Sequence, residues 1–235
     1  MANPYFKFKQ FTIWHDKCAM KVGTDGVLLG ASAPVTNTNS ILDVGTGTGL
    51  IALMLAQRTV SAQIKALEID EDAVIQAKEN IERSPWKDRI EVIQSDFNLY
   101  EPNEKYDLIV SNPPYFVDSL LSPHKQRTNA RHTQTLSFDA LLDGVVRCLS
   151  AVGRFSVILP IEVQDLFCGL AKDRGLFLNK ILYIQTKPGA SAKRIILDFS
   201  FVESILLEDM LLVELARHQY SKEYIQLTKD FYLKM

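Results

Sequence analysis

The sequence predicts an α/β protein with one doubly wound, mostly parallel seven-stranded sheet that closes in a C-terminal antiparallel hairpin. Three observations predict this class. The chain has 235 residues, 47% hydrophobic and 23% charged, as expected for one ordinary globular domain. From residue 41 to about residue 200, short apolar runs alternate with stretches of helical period. A glycine-rich turn joins the first run to the first helical stretch, as in open parallel sheets that bind ligands.

The individual elements are predicted from the spacing of apolar residues and from the residues that begin and end helices and strands. Asp70 and Ser137 precede two helical stretches and are suitable N-caps. The last two strand candidates are separated only by a short segment with Lys-Pro-Gly-Ala at 187–190, which predicts the hairpin. The predicted strands are residues 41–45, 64–70, 90–94, 107–111, 153–160, 180–186 and 194–202, and the predicted helices are residues 50–58, 71–83, 138–150 and 161–174.

One domain accounts for most of the chain. We expect residues 31–203 to form this domain and residues 1–30 to form an N-terminal segment that borders its ligand site. We expect residues 204–235 to form a helical tail packed on the same domain.

The compartment is predicted from what the sequence lacks. The longest apolar stretch, residues 50–56, is far shorter than the roughly 20 residues that cross a bilayer. The first ten residues are too polar for a signal peptide. Cys18, Cys148 and Cys168 are an odd number without CxxC spacing. We therefore expect a reduced cytoplasmic protein without membrane contact.

A glycine loop follows the first strand, with Gly45, Thr46, Gly47 and Gly49 leading directly into an apolar helix. Such glycines permit a tight turn and close approach of a ligand, although a turn that serves only chain geometry is the alternative. The dinucleotide fingerprint GxGxxG and the phosphate-binding GxxxxGK[ST] are both absent. The acid just before the loop, Asp43, would also disfavour a pyrophosphate.

Two further acids follow the next two strands. Glu68 lies 19 residues after Gly49, where a carboxylate can accept both hydroxyl protons of a ribose. Asp96 comes just past the third strand and therefore at the same edge of the sheet. Each acid alone is more often a loop residue or a helix cap. Together with Asp43 they predict a pocket for a positively charged nucleoside such as S-adenosylmethionine.

After the fourth strand stand Asn112, Pro113, Pro114 and Tyr115. The two prolines alone would make a rigid turn. The side-chain carbonyl of Asn112 and the backbone carbonyl of Pro113 can also accept hydrogen bonds from an exocyclic amino group and localise its lone pair toward a methyl donor. Tyr115 can stack on the planar group that carries this nitrogen.

This chemistry needs neither a catalytic histidine nor a metal. We expect no metal site, because the histidines lack ligand spacing. They are His15, His124, His132 and His218.

With these motifs in place, the chain resembles the class I S-adenosylmethionine-dependent methyltransferases of the Asn-Pro-Pro-Tyr type, which have a Rossmann-like fold. DVGTGTG, LEID, QSDF and NPPY occur in the order and spacing of that superfamily. The resemblance implies S-adenosylmethionine as cofactor and S-adenosylhomocysteine as product. It also places Ile69, Phe97 and Asn112 beside the cofactor. Adenine, guanine and glutamine methyltransferases share the last motif, so the motif leaves the substrate open.

The flanking segments narrow the substrate. FKQF at 8–11, residues 20–30, residues 130–132, residues 135–137 and residues 220–235 are similar to bacterial tRNA(Val) adenine-N6 methyltransferases. That family modifies the adenine 3′ of the anticodon, at position 37. By this resemblance Lys21, Thr24 and Asp25 border the cofactor, whereas a glycine turn with a capped helix is the purely structural alternative.

The charge distribution supports a nucleic-acid partner, although the net charge is only −2. Residues 61–110 hold 12 acids and 6 bases, and residues 172–194 carry a local charge of +5. We expect the reacting base to be swung out into a pocket walled by Tyr115 and Phe116. The predicted RNA-binding cations are Lys125, Arg127, Arg131, Lys187, Lys193 and Arg194.

Three alternatives remain open at the sequence level. A release-factor glutamine methyltransferase shares the NPPY motif but usually carries an additional N-terminal helical domain. The second alternative is another NPPY-type amino methyltransferase that acts on rRNA or DNA. A DNA adenine methyltransferase normally needs a target-recognition domain, for which this chain has little room. A non-catalytic RNA-binding module is disfavoured by the intact NPPY motif.

Overall fold

The structure is a computed structural model that describes residues 3–18, 21–114 and 136–234. The predicted site residues Tyr115 and Phe116 and the predicted RNA-binding cations Lys125, Arg127 and Arg131 lie outside the described residues. The described strands are β1 (Tyr5–Lys7), β2 (Thr12–Trp14), β3 (Ser40–Val44), β4 (Gln63–Glu68), β5 (Ile90–Gln94), β6 (Tyr106–Ser111), β7 (Leu149–Pro160), β8 (Phe177–Gln185), β9 (Arg194–Ser200), β10 (Leu207–Leu212), β11 (Glu214–Ala216) and β12 (Gln219–Tyr220).

Six α-helices are described, and two of the predicted N-caps are confirmed. Asp70 accepts a hydrogen bond from Ala73 N at 2.9 Å, and Ser137 accepts one from Ala140 N at 3.1 Å. The helices are α1 (Thr24–Ser32), α2 (Leu50–Arg58), α3 (Glu71–Glu82), α4 (Phe138–Cys148), α5 (Gln164–Lys172) and α6 (Lys222–Thr228), and short 3-10 helices span Lys87–Arg89 and Ile161–Val163.

The central sheet has the spatial order β10-β8-β9-β7-β6-β3-β4-β5. Strands β3 to β6 pair in parallel, and β7 extends that run. From β3 the chain moves outward to β5 and then returns to β6 on the other side of β3. The topological switch point is therefore the crevice at the carboxyl ends of β3 and β6, where open α/β sheets bind ligands.

Helices cover both faces of the sheet, as the doubly wound class requires. Side chains along β3 and β6 alternate between two buried clusters: Ile41 and Leu108 pack with α1 and α2, and Leu42 and Ile109 pack with α4 and α5. This period of two is what a strand buried on both faces produces. Among the described residues, every helix falls short of the length and apolar character that a bilayer crossing needs.

The predicted C-terminal hairpin is confirmed. β9 pairs antiparallel with both β7 and β8, and the turn between β8 and β9 contains the predicted glycine, Gly189, at φ +75°. The seven predicted strands all belong to the central sheet.

The C-terminal segment differs from the predicted helical tail. Residues Leu207–Leu212 form an eighth strand that pairs in parallel with β8, and only Lys222–Thr228 is helical. Leu, Met and Glu favour helix locally, but the outer edge of β8 offers a row of backbone hydrogen-bonding groups that a strand can satisfy. Tertiary pairing therefore overrides local propensity in this segment.

The N-terminal segment is joined to the rest of the protein. β1 and β2 form an antiparallel pair, and Phe8 bridges to Tyr232 near the C-terminus. α1 begins at Thr24 and runs past residue 30, and it buries Val27, Leu28 and Leu29 against α2.

We expect Gly144 in α4 to be essential for packing of Phe97. A Cβ on Gly144 would lie 2.4 Å from Cε1 of the Phe97 ring, so the ring would have to move. Gly144→Ala should lower the free energy of unfolding by about 1–3 kcal/mol through overpacking, as measured by urea denaturation. Gly169→Ala in α5 is the matched control, because nothing lies within 4 Å of its Cβ position. The control should be stabilised by up to about 1 kcal/mol, and equal effects of the two substitutions would contradict the prediction.

Candidate active site at the sheet switch point

The glycine loop after β3 has a shape that only glycine adopts easily. Gly45, Gly47 and Gly49 have φ values of 71°, 56° and 82°. The amides of Gly45 and Thr46 donate to the carbonyl of Leu67 in β4 at 3.0 and 2.9 Å. Within the described part of the chain, a Cβ built on Gly45 or Gly47 meets nothing within 4 Å, so the described residues leave space beside the loop. This space fits a ligand that approaches the backbone closely.

Beneath the loop lies Asp43, whose side chain is fully buried. Its Oδ2 accepts hydrogen bonds from Thr46 Oγ1 at 2.6 Å and from Ala52 N at 3.2 Å. Its Oδ1 has no partner among the described residues. Burial raises the pKa of Asp43 to about 7, the two hydrogen bonds oppose this shift, and the charge of Glu68 adds to it. A buried carboxyl with an unpartnered oxygen fits a cationic ligand group.

Glu68 at the end of β4 is held by the backbone. Its Oε2 accepts a hydrogen bond from Gly47 N at 2.8 Å, and its Oε1 accepts from Ile69 N and Asp70 N at 2.9 and 3.1 Å. A carboxylate has about four acceptor sites, so the described residues occupy three of them and leave one on Oε2. In this arrangement Glu68 has room for one ribose hydroxyl, where the sequence suggested two.

The end of β5 joins the same cluster. Ser95 N donates to the carbonyl of Glu68 at 2.9 Å, which ties the turn after β5 to β4. Asp96 Oδ1 accepts from the backbone and side-chain amides of Asn98, both at 2.9 Å, and so closes its own turn. Phe97 is buried, whereas Ile69 is 43% exposed at the rim. The predicted cofactor residues of the three strand ends therefore lie at one edge of the sheet.

Asn112 follows β6 at this edge. The preceding residue, Ser111, donates its hydroxyl to the carbonyl of Val44 at 2.9 Å, which connects the end of β6 to the start of the glycine loop. A Cβ on Gly26 of α1 would lie 3.9 Å from Asn112 Nδ2, so α1 passes directly beside the amide. Pro113 is buried and Pro114 is exposed.

The structure connects two predicted site residues for which different roles were expected. Arg194 Nε contacts Asp25 Oδ2 at 2.8 Å, which links β9 to α1. Asp25 was expected to border the cofactor and Arg194 to bind RNA. Their ion pair shows that each has an internal partner. Lys21 and Thr24, which flank this pair in sequence, are exposed.

The basic segment at 172–194 is also partly neutralised. Arg174 pairs with Asp143 at 2.6 Å and with Asp139 at 2.8 Å. Lys187 and Lys193 are exposed. The local charge of +5 therefore overstates the positive charge that this surface offers to a partner.

Asn80, a buried residue of α3, is a site residue that was not predicted from the sequence. Its Oδ1 accepts from Trp14 N, and its Nδ2 donates to the carbonyls of Trp14 and of Thr48 in the glycine loop, all at 2.9 Å. One turn earlier, Gln76 Oε1 accepts from Lys17 N at 3.0 Å. The two amides thus fasten the N-terminal segment to α3, and Asn80 fastens it to the loop. Gln76 and Asn80 are spaced i, i+4 within a predicted helix, and this spacing indicates that both amides lie on one face of that helix.

Within residues 3–18, 21–114 and 136–234, no cluster of three or more His, Cys, Asp or Glu side chains is arranged to hold a metal ion. The groups that converge at the switch point are backbone amides, the carboxyls of Asp43 and Glu68, and the amide of Asn112. Such a site can bind a cationic nucleoside and present hydrogen-bond acceptors to an amino group.

Sequence comparison relates the chain to methyltransferases. A family model described as "methyltransferase small domain" matches residues 19–134. A tRNA1(Val) (adenine(37)-N6)-methyltransferase of Bacteroides fragilis (strain YCH46) is 57% identical over 238 residues, covering all of both chains. The enzyme of the same name from Flavobacterium psychrophilum is 48% identical and covers 98% of this chain and all of its own. The enzyme of that name from Trichodesmium erythraeum is 47% identical over the full length of both chains.

Solved structures share the fold at low sequence identity. A predicted O-methyltransferase from Agrobacterium tumefaciens matches with a TM-score of 0.67 and 19% identity, over 88% of this chain and 96% of its own. The glycopeptide N-methyltransferase MtfA, solved with S-adenosylmethionine, matches with a TM-score of 0.56 and 11% identity, over 77% of this chain and all of its own. The predicted fold class is confirmed by these matches.

The burial of Asp43 predicts a pH-dependent stability of the ligand-free protein. Because the pKa of Asp43 is higher in the folded than in the unfolded protein, proton binding to Asp43 favours the folded state. This contribution to the free energy of unfolding is fully present below about pH 4 and is lost as the pH rises through about 7. Asp43→Asn should therefore raise the free energy of unfolding at pH 8, by up to about 4 kcal/mol, and change it little near pH 4. Urea denaturation across this range measures the difference.

The exposed Asp88→Asn is the control and should leave the pH profile of stability nearly unchanged. If wild type and Asp43→Asn lose stability in parallel between about pH 4 and 8, Asp43 does not titrate in that interval and the prediction is wrong.

Proposed function

Since the chain belongs to the family of tRNA1(Val) (adenine(37)-N6)-methyltransferases, we propose that it methylates the exocyclic N6 of adenine 37 in tRNA(Val). The cofactor of this reaction is S-adenosylmethionine, whose sulfonium supplies an already activated methyl group. The observation that carries the proposal is that Asn112 lies at the same sheet edge as the glycine loop, joined to it through the hydrogen bond between Ser111 and Val44.

The residues around the loop fit this cofactor. The described residues leave Glu68 one acceptor site for a ribose hydroxyl, and they leave space beside the backbone of Gly45 and Gly47. The unpartnered Oδ1 of Asp43 suits a cationic part of the ligand, and a positive charge nearby would favour the ionised form of this carboxyl. We propose the same cofactor contacts for Lys21, Thr24, Asp96, Phe97 and Ile69 as the resemblance implies.

Asn112 and Pro113 act on the amino group of the adenine. The side-chain oxygen of Asn112 and the backbone oxygen of Pro113 accept hydrogen bonds from the two N6 N–H groups, which keeps the nitrogen lone pair out of the ring and directs it at the methyl carbon. As the N–C bond forms and the S–C bond breaks, S-adenosylhomocysteine leaves and the methylated nitrogen loses one proton to solvent. Alignment of the N6 nitrogen, the methyl carbon and the sulfonium sulfur then accounts for most of the rate enhancement. We assign stacking on the adenine to Tyr115 and Phe116, and phosphate contacts to the predicted cations.

A cytoplasmic location follows from the tRNA substrate and is part of the proposal.

The base must leave the anticodon-loop stack before its N6 reaches Asn112, so we propose that the adenine is bound in an extruded conformation.

The experiment that tests the function offers one labelled methyl donor to several acceptors. The protein is incubated with methyl-labelled S-adenosylmethionine and, separately, with total tRNA, duplex DNA and a peptide release factor. We expect label only in tRNA, and digestion with mass spectrometry should place it as N6-methyladenosine at position 37 of tRNA(Val). Label only in release factor or DNA identifies one of the alternative methyltransferases, and label in no acceptor contradicts the proposed activity.

Asn112→Ala should lower the single-turnover rate of tRNA methylation by roughly 10²–10³-fold, because one of the two acceptors for the amino protons is lost. Binding of S-adenosylmethionine, measured by calorimetry, should change little. Asn103→Ala, at an exposed loop position, is the matched control. Wild-type single-turnover rates in the Asn112 variant would remove Asn112 from the mechanism.

A further inference from the structure

A groove rich in aromatic side chains lies between β1, the first residue of α1 and the C-terminal segment. Its volume is about 610 Å³, within the usual range for ligand sites. We call it the aromatic groove. Its aromatic lining residues are Tyr5, Phe6, Tyr220, Tyr224 and Tyr232.

Two of these rings stand at the surface and are supported from the protein side. Tyr5 and Phe6 are 38% and 36% exposed, although large aromatic side chains usually gain from burial. Tyr5 packs against Trp14 with ring centroids 5.0 Å apart, and Phe6 packs against Phe8 at 4.8 Å. Phe6 also meets the edge of Tyr232 at 5.9 Å. The rings are therefore held in place while part of each remains open to a ligand.

Helix α1 relates the groove to the site of methyl transfer. Thr24, the first residue of α1, lines the groove. Two residues further along the helix, Gly26 lies beside Asn112. Because a step of two residues turns about 200° around the helix axis, the groove and the amide of Asn112 lie on opposite sides of α1, about one helix diameter or roughly 10 Å apart.

The polar lining indicates which occupant the groove takes. Lys7 and Lys234 line it against one acid, Glu214, so aromatic faces are combined with a small excess of positive charge. This combination is typical of surfaces that stack unpaired bases and contact the backbone phosphates beside them. An uncharged apolar ligand would gain nothing from the two lysines.

We propose that the aromatic groove binds an unpaired nucleotide that neighbours the methylated adenine in the anticodon loop. This inference rests on the proposed function and adds the site where the RNA is held next to the reacting base. The base stacks on Tyr5 or Phe6, and its phosphate lies near Lys7 or Lys234. Single-stranded RNA loops, whose bases can be splayed onto aromatic side chains, fit such a site.

The first test separates RNA binding from chemistry. At least one of the variants Phe6→Ala and Tyr5→Ala should raise the KM for tRNA by roughly 5- to 140-fold, the loss expected for one stacked base. The kcat at saturating tRNA and the dissociation constant of S-adenosylmethionine should change less than about twofold, since neither residue touches the reacting atoms. Phe6→Tyr, which keeps an aromatic face, should retain the wild-type KM, and Phe6→Leu should behave like Phe6→Ala.

Leu166→Ala is the control, because Leu166 is a large apolar residue that is 49% exposed but lies on α5, which packs in the other core cluster from the groove. A second measurement avoids substitutions altogether: photo-crosslinking of wild-type protein to tRNA that carries 4-thiouridine in the anticodon loop. Adducts on peptides that contain Tyr5, Phe6 or Tyr232 support the proposal.

Unchanged KM in both alanine variants, or adducts confined to other surfaces, would overturn the groove assignment while leaving the proposed methylation intact. A wild-type protein that methylates no RNA would instead refute the proposed function, and the groove assignment with it.

Discussion

The hydrogen bonds between the glycine loop and the end of β4 are the constraint on which the site depends. Gly45 N and Thr46 N share the carbonyl of Leu67, and Gly47 N binds the carboxylate of Glu68. These bonds require backbone at positive φ, which glycine adopts without strain. The loop is therefore shaped before any ligand arrives, and a side chain at Gly45 or Gly47 would be opposed by backbone conformation and not by lack of space.

The buried carboxyl of Asp43 shows that stability and ligand binding are opposed at this edge. Burying a carboxylate with one oxygen unpartnered is unfavourable, and the nearby charge of Glu68 increases the cost. In the proposed site, the charge of a cationic ligand would favour the ionised form of this carboxyl through space, without direct contact with the buried oxygen. Sites that perturb a pKa in this way are common where charge is recognised.

The two ends of the chain converge on α1. Asn80 fastens the segment before α1 to the glycine loop, and Arg194 fastens α1 itself to β9 through Asp25. Phe8 bridges to Tyr232, so the aromatic groove is built from residues more than 200 positions apart in sequence. The elements that hold the cofactor loop thus also shape the surface that we assign to RNA.

Local periodicity and residue chemistry encode seven strands of the central sheet, the strand ends that carry the site, and the N-caps at Asp70 and Ser137, so these features could be predicted from the sequence. Other features arise only in the folded chain. Leu207–Leu212 became a strand because β8 had an unpaired edge, against the helix preference of its residues. Asp25 and Arg194 became an ion pair, and Asn80 became a link between segments 66 and 32 residues away from it. Such contacts join positions that no local pattern relates, so only the folded chain reveals them.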